Sequence, residues 1–304
     1  MNFAILLPSA EGKKSGGNPL APDMFDYRTS NTFNYFSELN PERRALINAL
    51  QAAIESAPSD ELETVFGVKG DALEEALKTN RNAFSSPLMA AIDRYGPGVL
   101  YRSMEFSALA TGAQRRLLEN GIIFSGLFGL LRPDDLVPDY KLRMDAKLEG
   151  VGKVSHYWRS HISPLLAETL KDKFVWDLLP AAHRDAWVDE EPYAGRVEVK
   201  FFRDVDGDRK PVTHGVKELR GALVHYIVSE MANSAEALED WEAPEGFEMD
   251  ARTSELPTSS NKSGTLVLVQ YQDWERRAEN RRLAREAAAA ERARPADDDE
   301  TDED

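Results

Sequence analysis

Residues 121–140 read GIIFSGLFGLLRPDDLVPDY, and this stretch is more informative about the fold than any other part of the chain. It begins as a short apolar run with β-strand character and then reaches Ser125 and Gly126, with Gly129 and Arg132 a few residues later. A strand that ends in a tight glycine turn beside a cation can bring backbone N–H groups and a guanidinium against an anionic ligand. The alternative is that the glycines only form a turn and the apolar residues only fill the core.

The segments on either side of this stretch alternate between strand and helix patterns. We expect further strands at residues 3–7, 174–178, 196–203 and 265–271. We expect helices from Asn40 onward and at residues 86–94, 99–104, 111–120, 155–170 and 216–231. This mixture predicts an α/β or α+β fold, with a single compact domain over residues 1–271 in which many helices flank a mixed β-sheet.

The composition changes after this domain. Residues 273–294 alternate arginine, glutamate and alanine, which predicts a solvated helix with little to bury. Beyond Pro295 an acidic tail holds seven carboxylates and no base, and we expect it to be disordered. We therefore treat residues 272–304 as a charged tail, which either solubilises the protein or contacts a basic partner.

Composition excludes several functions. The 304 residues include no cysteine, which excludes a thiol peroxidase, a zinc–thiolate site and an iron–sulfur cluster. The five histidines lack metal-ligand spacing, so we expect no metal and no cofactor. Of the formal charge of −16, seven units lie in the acidic tail, and the remaining −9 argues against global attraction to nucleic acid. No long apolar run or cationic leader is visible, so we expect a cytoplasmic protein without a membrane segment.

The string SGLFGLLRPDDL, residues 125–136, resembles the central motif of the YaaA family of bacterial peroxide-stress proteins. Weaker similarity extends over about residues 3–270. The resemblance implies a protein of the oxidative-stress response that binds DNA and limits iron-dependent peroxide damage. A different class remains open, namely an enzyme that acts on an anionic small molecule, and an interaction protein that uses its tail is a third alternative.

The resemblance also implies a cationic, hydroxyl-lined cleft. The family's first loop ends in a lysine, which matches Lys13, and its late helix carries a Lys-x-x-Arg-Gly pattern, which matches Lys217 and Arg220. Its serine-rich turn before the last strand matches residues 258–264, although the turn is longer here. The predicted cleft residues are Lys13, Ser125, Gly126, Arg132, Lys217, Arg220, Ser259, Ser260 and Asn261. We expect the cations Arg132, Lys217 and Arg220 to converge within about 10–15 Å, the span of a ligand pocket.

Residues 94–102, RYGPGVLYR, resemble a helix-hairpin-helix. In such a hairpin a Gly-x-Gly turn joins two helices and presents free N–H groups to a DNA phosphate. The resemblance therefore assigns DNA contact to Arg94, Gly96, Gly98 and Arg102, with the turn exposed to solvent. A plain helix–helix turn is the alternative. The expected partners are thus double-stranded DNA, bound weakly, or an anionic small molecule.

Overall fold

The computed structural model describes residues 3–20 and 35–292. Its strands are β1 (Phe3–Pro8), β2 (Met89–Ala90), β3 (Gly121–Ser125), β4 (Gly129–Leu131), β5 (Leu136–Val137), β6 (Lys147–Leu148), β7 (Gly152–Lys153), β8 (Phe174–Asp177), β9 (Gly195–Val205), β10 (Asp208–Pro211), β11 (Glu248–Met249) and β12 (Ser263–Gln270). Its α-helices are α1 (Asn40–Ser56), α2 (Ser59–Phe66), α3 (Asp71–Arg81), α4 (Ala91–Arg94), α5 (Val99–Met104), α6 (Thr111–Asn120), α7 (Val154–Leu170), α8 (Ala181–Arg184), α9 (Val216–Glu230) and α10 (Trp274–Arg292).

The main sheet of the described residues has the strand order β11-β12-β9-β8-β1-β3-β4, with β10 paired to β9. The five central strands, from β12 to β3, run parallel, while β4, β10 and β11 pair antiparallel to their neighbours. Helices pack around this sheet in one continuous core. The predicted α/β fold with a mixed sheet and a single compact domain is confirmed.

The parallel register defines two edges of the sheet. At the carboxyl edge, Leu6 of β1 pairs with Asp177 of β8, and Pro8 pairs with Phe124 of β3. At the amino edge, Phe3 of β1 pairs with Phe174 of β8. The chain leaves β1 toward β3 on one side and leaves β8 toward β9 on the other. Neighbouring strands that diverge in this way open a crevice at their carboxyl ends, which is where open α/β sheets bind ligands.

The central stretch forms the β3–β4 hairpin at the end of the sheet. Gly129 has a φ of +70°, and a Cβ there would lie 2.8 Å from the Trp158 ring, so only glycine fits. Gly126 is equally confined, since an added Cβ would lie 2.4 Å from the Leu142 carbonyl oxygen. Trp158 Nε1 donates to the Gly126 carbonyl at 2.8 Å and ties α7 to the hairpin. Both glycines are therefore explained by close packing.

One predicted helix is wrong. Residues 86–94 were expected to be helical, but Met89 and Ala90 form β2, which pairs with Leu136 and Val137 of β5. Only the last four residues, from Ala91, are helical. The pairing partner lies almost fifty residues away along the chain, so the local pattern gave no sign of it.

The base of α10 is docked on the domain and is less solvated than its composition suggests. Trp274 packs against Gly246, where a Cβ would lie 2.4 Å from the indole. Arg277 and Arg281 both form ion pairs with Glu248 on β11. The acidic residues beyond position 292 lie outside the described residues. No helix of the described part of the chain combines the length and apolar character needed to cross a membrane.

Candidate functional site

Polar side chains gather near the carboxyl ends of β1, β3 and β8, and we call this group the carboxyl-edge cleft. We define it by Lys13 after β1, Ser125 at the end of β3, Tyr140, His183 in α8 and Arg220 in α9. Electrostatic coupling connects its two ends, since Glu11 influences the pKa of both Lys13 and Arg143, and Asp145 influences that of Arg143 and of His183. His183 is coupled in turn to Arg220. These groups therefore lie in one electrostatic neighbourhood.

Lys13 occupies an aromatic corner of the cleft. Its Nζ lies 4.2 Å from the ring centroid of Tyr140 and 5.7 Å from that of Tyr95, and it donates to the Ala10 carbonyl at 3.0 Å. Burial lowers the pKa of Lys13 to about 7, with Asp139 as the main opposing influence. The amine is therefore about half neutral at physiological pH.

A chain of buried hydroxyls forms the wall behind Lys13. The Tyr95 and Tyr140 hydroxyls lie 2.6 Å apart, and the Tyr140 hydroxyl lies 2.7 Å from Ser125 Oγ. The Phe128 N–H donates to the same Oγ at 3.0 Å. Burial raises the pKa of Tyr140 to about 12, so this wall stays protonated and uncharged at neutral pH. Ser125 is thus committed to a hydrogen-bonded chain and is not paired with a histidine base, which argues against a serine nucleophile.

The residues predicted to form a DNA hairpin instead hold the Lys13 loop in place. Arg94 is fully buried, and its guanidinium donates to the carbonyls of Lys14, Pro87 and Val137. The Lys14 N–H returns a bond to the Arg94 carbonyl at 2.8 Å. The Arg94 guanidinium is therefore directed into the protein and cannot reach a phosphate, which corrects the prediction for this residue.

In the turn between α4 and α5, the backbone N–H groups are also bonded within the protein. The Gly96 N–H donates to the Asp93 carbonyl at 3.1 Å, and the Gly98 N–H donates to the Tyr95 carbonyl at 2.8 Å. A Cβ at Gly98 would lie 2.5 Å from the Ala10 side chain, so this glycine lets the turn pack on the loop after β1. The prediction of free N–H groups at Gly96 and Gly98 is wrong. The helix at residues 99–104 is confirmed, and Arg102 is exposed on it.

The carboxyl end of β8 anchors the other side of the cleft through a buried carboxylate. Asp177 has no exposed surface and accepts bonds from Arg196 Nη2 at 2.5 Å and Arg184 Nε at 2.9 Å. It also accepts the Leu179 N–H at 2.9 Å. Arg184 reaches Glu198 with its other end at 3.1 Å. This network fixes the backbone segment that carries His183.

Two buried polar atoms of the cleft have no hydrogen-bond partner within residues 3–20 and 35–292. They are His183 Nδ1 and Arg220 Nε. Burial lowers the pKa of His183 to about 4, and Arg220 further disfavours its charged form, so the imidazole is neutral at pH 7. Asp177 and Glu198 are engaged by Arg184, with Arg196 also on Asp177, which leaves Arg220 as a cation without a committed counter-ion in this network.

Two parts of the predicted cleft, Arg132 and the serine-rich loop, lie elsewhere. Arg132 follows β4, which runs antiparallel to β3, so its guanidinium meets the Glu119 and Gly121 carbonyls at the amino edge. The loop of Ser259, Ser260 and Asn261 precedes β12 and also lies at the amino edge, because Ser263 pairs with Arg196 at the beginning of β9. Arg132 therefore does not converge with Arg220. Lys217 is exposed at the beginning of α9, one turn before Arg220.

Several residues of the site were missed in the sequence, namely Tyr95, Tyr140, Asp177 and His183. Tyr140 closes the central motif, and Asp177 is a polar residue at the end of a buried strand, which is a recognised position for site residues in parallel sheets. Tyr140 and Asp177 could therefore have been predicted from the sequence. No group of three or more histidine, aspartate and glutamate side chains is placed to hold a metal ion in the described residues.

Comparison with known sequences gives a consistent assignment. The family model described as "Peroxide stress protein YaaA" matches residues 3–253. A UPF0246 protein of Streptomyces coelicolor is 29% identical over 276 residues, which cover 87% of this chain and 98% of the relative. An uncharacterized protein of Campylobacter jejuni is 29% identical over 204 residues, or 67% of this chain and 78% of the relative. A UPF0246 protein of Bordetella avium is 32% identical over 162 residues, or 52% of this chain and 63% of the relative.

The family match covers the sheet from β1 to β11 and the whole carboxyl-edge cleft. It leaves out β12 and α10, which follow position 253. The cleft therefore belongs to the part of the chain that the family shares, and this protein is a member of the peroxide stress protein YaaA family.

Proposed function

We propose that this protein serves the peroxide-stress response by binding an anionic small molecule in the carboxyl-edge cleft. The observation that carries the proposal is the pair of unpartnered buried atoms, Arg220 Nε and His183 Nδ1. A buried donor or acceptor without a partner costs about 1–3 kcal/mol. A ligand that accepts from Arg220 and bonds to His183 removes this cost, which favours its binding.

The charge of the surrounding groups supports an anion over a cation. Arg220 is mostly buried, and burial lowers its pKa because the charged guanidinium loses hydration. Asp177 and Glu198, the carboxylates that raise the pKa of Arg220, are engaged by other arginines, whereas an oxyanion would give its Nε a charged acceptor. The neutral imidazole of His183 can donate or accept one further bond, as its tautomer requires.

The proposal predicts that Arg220→Gln weakens the binding of a small oxyanion by about 10- to 100-fold, the worth of one hydrogen bond to a charged group. The measurement is isothermal titration calorimetry with inorganic phosphate and, separately, citrate. Arg115→Gln is the matched control, because it removes the same charge from an exposed side chain on α6 whose ion pair within the described residues is with Glu119. Equal loss in the two variants, or none in Arg220→Gln, would reject the cleft as an anion site.

The finer functional assignments remain predictions. The family resemblance implies binding of double-stranded DNA and limitation of iron-dependent peroxide damage. Catalysis on an anionic small molecule is the alternative function, and cytoplasmic localisation is an expectation from the sequence. Of the four residues assigned to DNA contact, Arg102 retains an exposed cation. Binding through it and neighbouring surface groups would be weak and insensitive to sequence, because it would depend on phosphate contacts alone.

The DNA prediction has a direct test by fluorescence anisotropy of a labelled duplex across a salt series. We expect affinity to fall steeply with salt, and Arg102→Gln to reduce the slope of log affinity against log salt by about one.

Truncation after Arg292 removes seven acidic residues and leaves α10 in place. It should tighten DNA binding at low salt, because the tethered acidic tail no longer competes with DNA for the same surface. Equal affinities with and without the tail would exclude this competition, and no binding at low salt would exclude the DNA function.

A further inference from the structure

The surroundings of Lys13 suit a reactive amine better than a cation that binds an anion. Its one hydrogen bond within the described residues goes to the Ala10 carbonyl, and its Nζ forms no ion pair there. Aromatic rings cover two sides, with Tyr140 at 4.2 Å and Tyr95 at 5.7 Å. A lysine that serves only to neutralise a carboxylate would have an acidic partner in contact, and Lys13 has none among these residues.

The groups around Lys13 keep a large fraction of its amine neutral. Burial lowers its pKa to about 7, and Lys141 and Arg94 add to that effect, while Asp139 and Glu11 oppose it. The faces of the Tyr140 and Tyr95 rings also favour the ammonium, by about 0.5–2 kcal/mol for a close contact. Burial is the largest influence, and relative to an ordinary lysine the neutral fraction at pH 7 rises by about a thousand-fold.

The loop is rigidly held, which fixes the position of this amine. Arg94 clamps the Lys14 carbonyl from inside the protein, and the Tyr101 hydroxyl donates to the Pro8 carbonyl at 2.8 Å. Gly98 admits the Ala10 side chain at the base of the loop. A strand end, a turn and a buried arginine thus hold one half-buried lysine at the rim of the cleft.

We propose that Lys13 is a covalent site for small carbonyl compounds, whose aldehyde or keto carbon condenses with its amine to form an imine. The Nζ lone pair attacks the carbonyl carbon, and the carbonyl π electrons move to the oxygen, which takes a proton as the nitrogen loses one. The resulting carbinolamine expels its hydroxyl with a second proton as water and leaves the C=N bond. The step is a condensation that needs no oxidant or reductant. It deepens the proposed function, on which it rests in taking this cleft as the ligand site, by giving the ligand class as oxo acids.

The experiment uses glyoxylate and sodium cyanoborohydride with the full-length protein at pH 7, followed by peptide mapping of the reduced adducts. Lys14 is the internal reference, since it is the next residue and is exposed. We expect modification of Lys13 to be at least ten-fold faster than that of Lys14, after allowance for the weaker nucleophilicity of a less basic amine. The Lys13 rate should reach half of its maximum near pH 7.

Two variants complete the test. Lys13→Arg should abolish the fast adduct, and Lys14→Arg should leave it unchanged. Adduct formation that follows solvent exposure, with Lys14 ahead of Lys13, would overturn the proposal, and this comparison within one wild-type protein does not depend on the folding of any variant. Phosphate binding that is lost in Arg220→Gln, together with no fast adduct at Lys13, would reject the covalent site alone. A fast adduct without phosphate binding would reject the anion site alone.

Discussion

Replacement of Asp177 with asparagine is expected to lower the free energy of unfolding by about 3–5 kcal/mol, the cost of removing one partner from a buried ion pair. The carboxylate is fully buried, and it accepts from Arg196 at 2.5 Å and from Arg184 at 2.9 Å. Asparagine has nearly the same shape, so the loss is electrostatic and leaves the Arg196 guanidinium, only 10% exposed, without its main counter-ion. The measurement is chemical denaturation at pH 7 with linear extrapolation.

A matched control separates this effect from ordinary charge removal. Glu119→Gln breaks the ion pair with Arg115, whose side chains are 51% and 78% exposed, and should change stability by less than about 1 kcal/mol. The same denaturation experiment on both variants decides the matter. A loss in Asp177→Asn as small as that of the control would mean that the arginines find other partners, and that β8 does not depend on this carboxylate.

Asp177→Asn should also weaken ligand binding at the carboxyl-edge cleft. The Leu179 N–H donates to the Asp177 carboxylate, and Arg184 in turn donates to the Leu179 carbonyl at 2.8 Å. His183 lies in the segment held by these bonds. We therefore expect phosphate affinity to fall in Asp177→Asn even at temperatures where the variant remains folded, because the imidazole loses its fixed position.

The sequence predicted the central elements well where local pattern and burial agree. The strand at residues 3–7 and the helices at 99–104 and 111–120 occur at the expected positions, because apolar periodicity and turn residues both point to the same structure there. Gly126 and Gly129 in the central stretch likewise predicted a turn. Its glycines are required by Trp158 and Leu142, which are distant residues that no local pattern reveals.

Which residues meet at the candidate site depends on the direction of each strand, and this direction cannot be read from the sequence. Arg132 was expected beside Lys13, but β4 returns antiparallel and carries it to the amino edge. Arg220 stands at the start of a crossover helix, and such a helix begins at the carboxyl edge, so it joins the site. The residue type alone does not tell at which edge of the sheet an arginine lies. Arg94 shows that an arginine can also be buried and bind backbone carbonyls.

Gly221→Ala is expected to destabilise the protein by about 1–3 kcal/mol or more, although alanine is the better helix former by about 1 kcal/mol. Gly221 lies where α9 crosses α5, and an added Cβ would lie 2.3 Å from the Leu100 carbonyl oxygen and 2.7 Å from Ser103 Cβ. A backbone carbonyl cannot move aside as a flexible side chain can, so the helices must separate and the clash outweighs the gain in propensity. Because α5 continues from the turn that packs on the Lys13 loop, the separation should also slow adduct formation at Lys13.

The control for Gly221→Ala is the same substitution at Gly112 in α6. The atom closest to a Cβ there is Arg116 Nη1 at 3.5 Å, an ordinary contact with a flexible side chain, so alanine should be neutral or stabilising by up to about 1 kcal/mol. Thermal and chemical denaturation of the two variants should therefore shift in opposite directions or differ by more than 1 kcal/mol. Equal stability of Gly221→Ala and the wild type would show that α5 and α9 can separate without cost, and the cleft would then rest on a looser frame than its close helix crossing indicates.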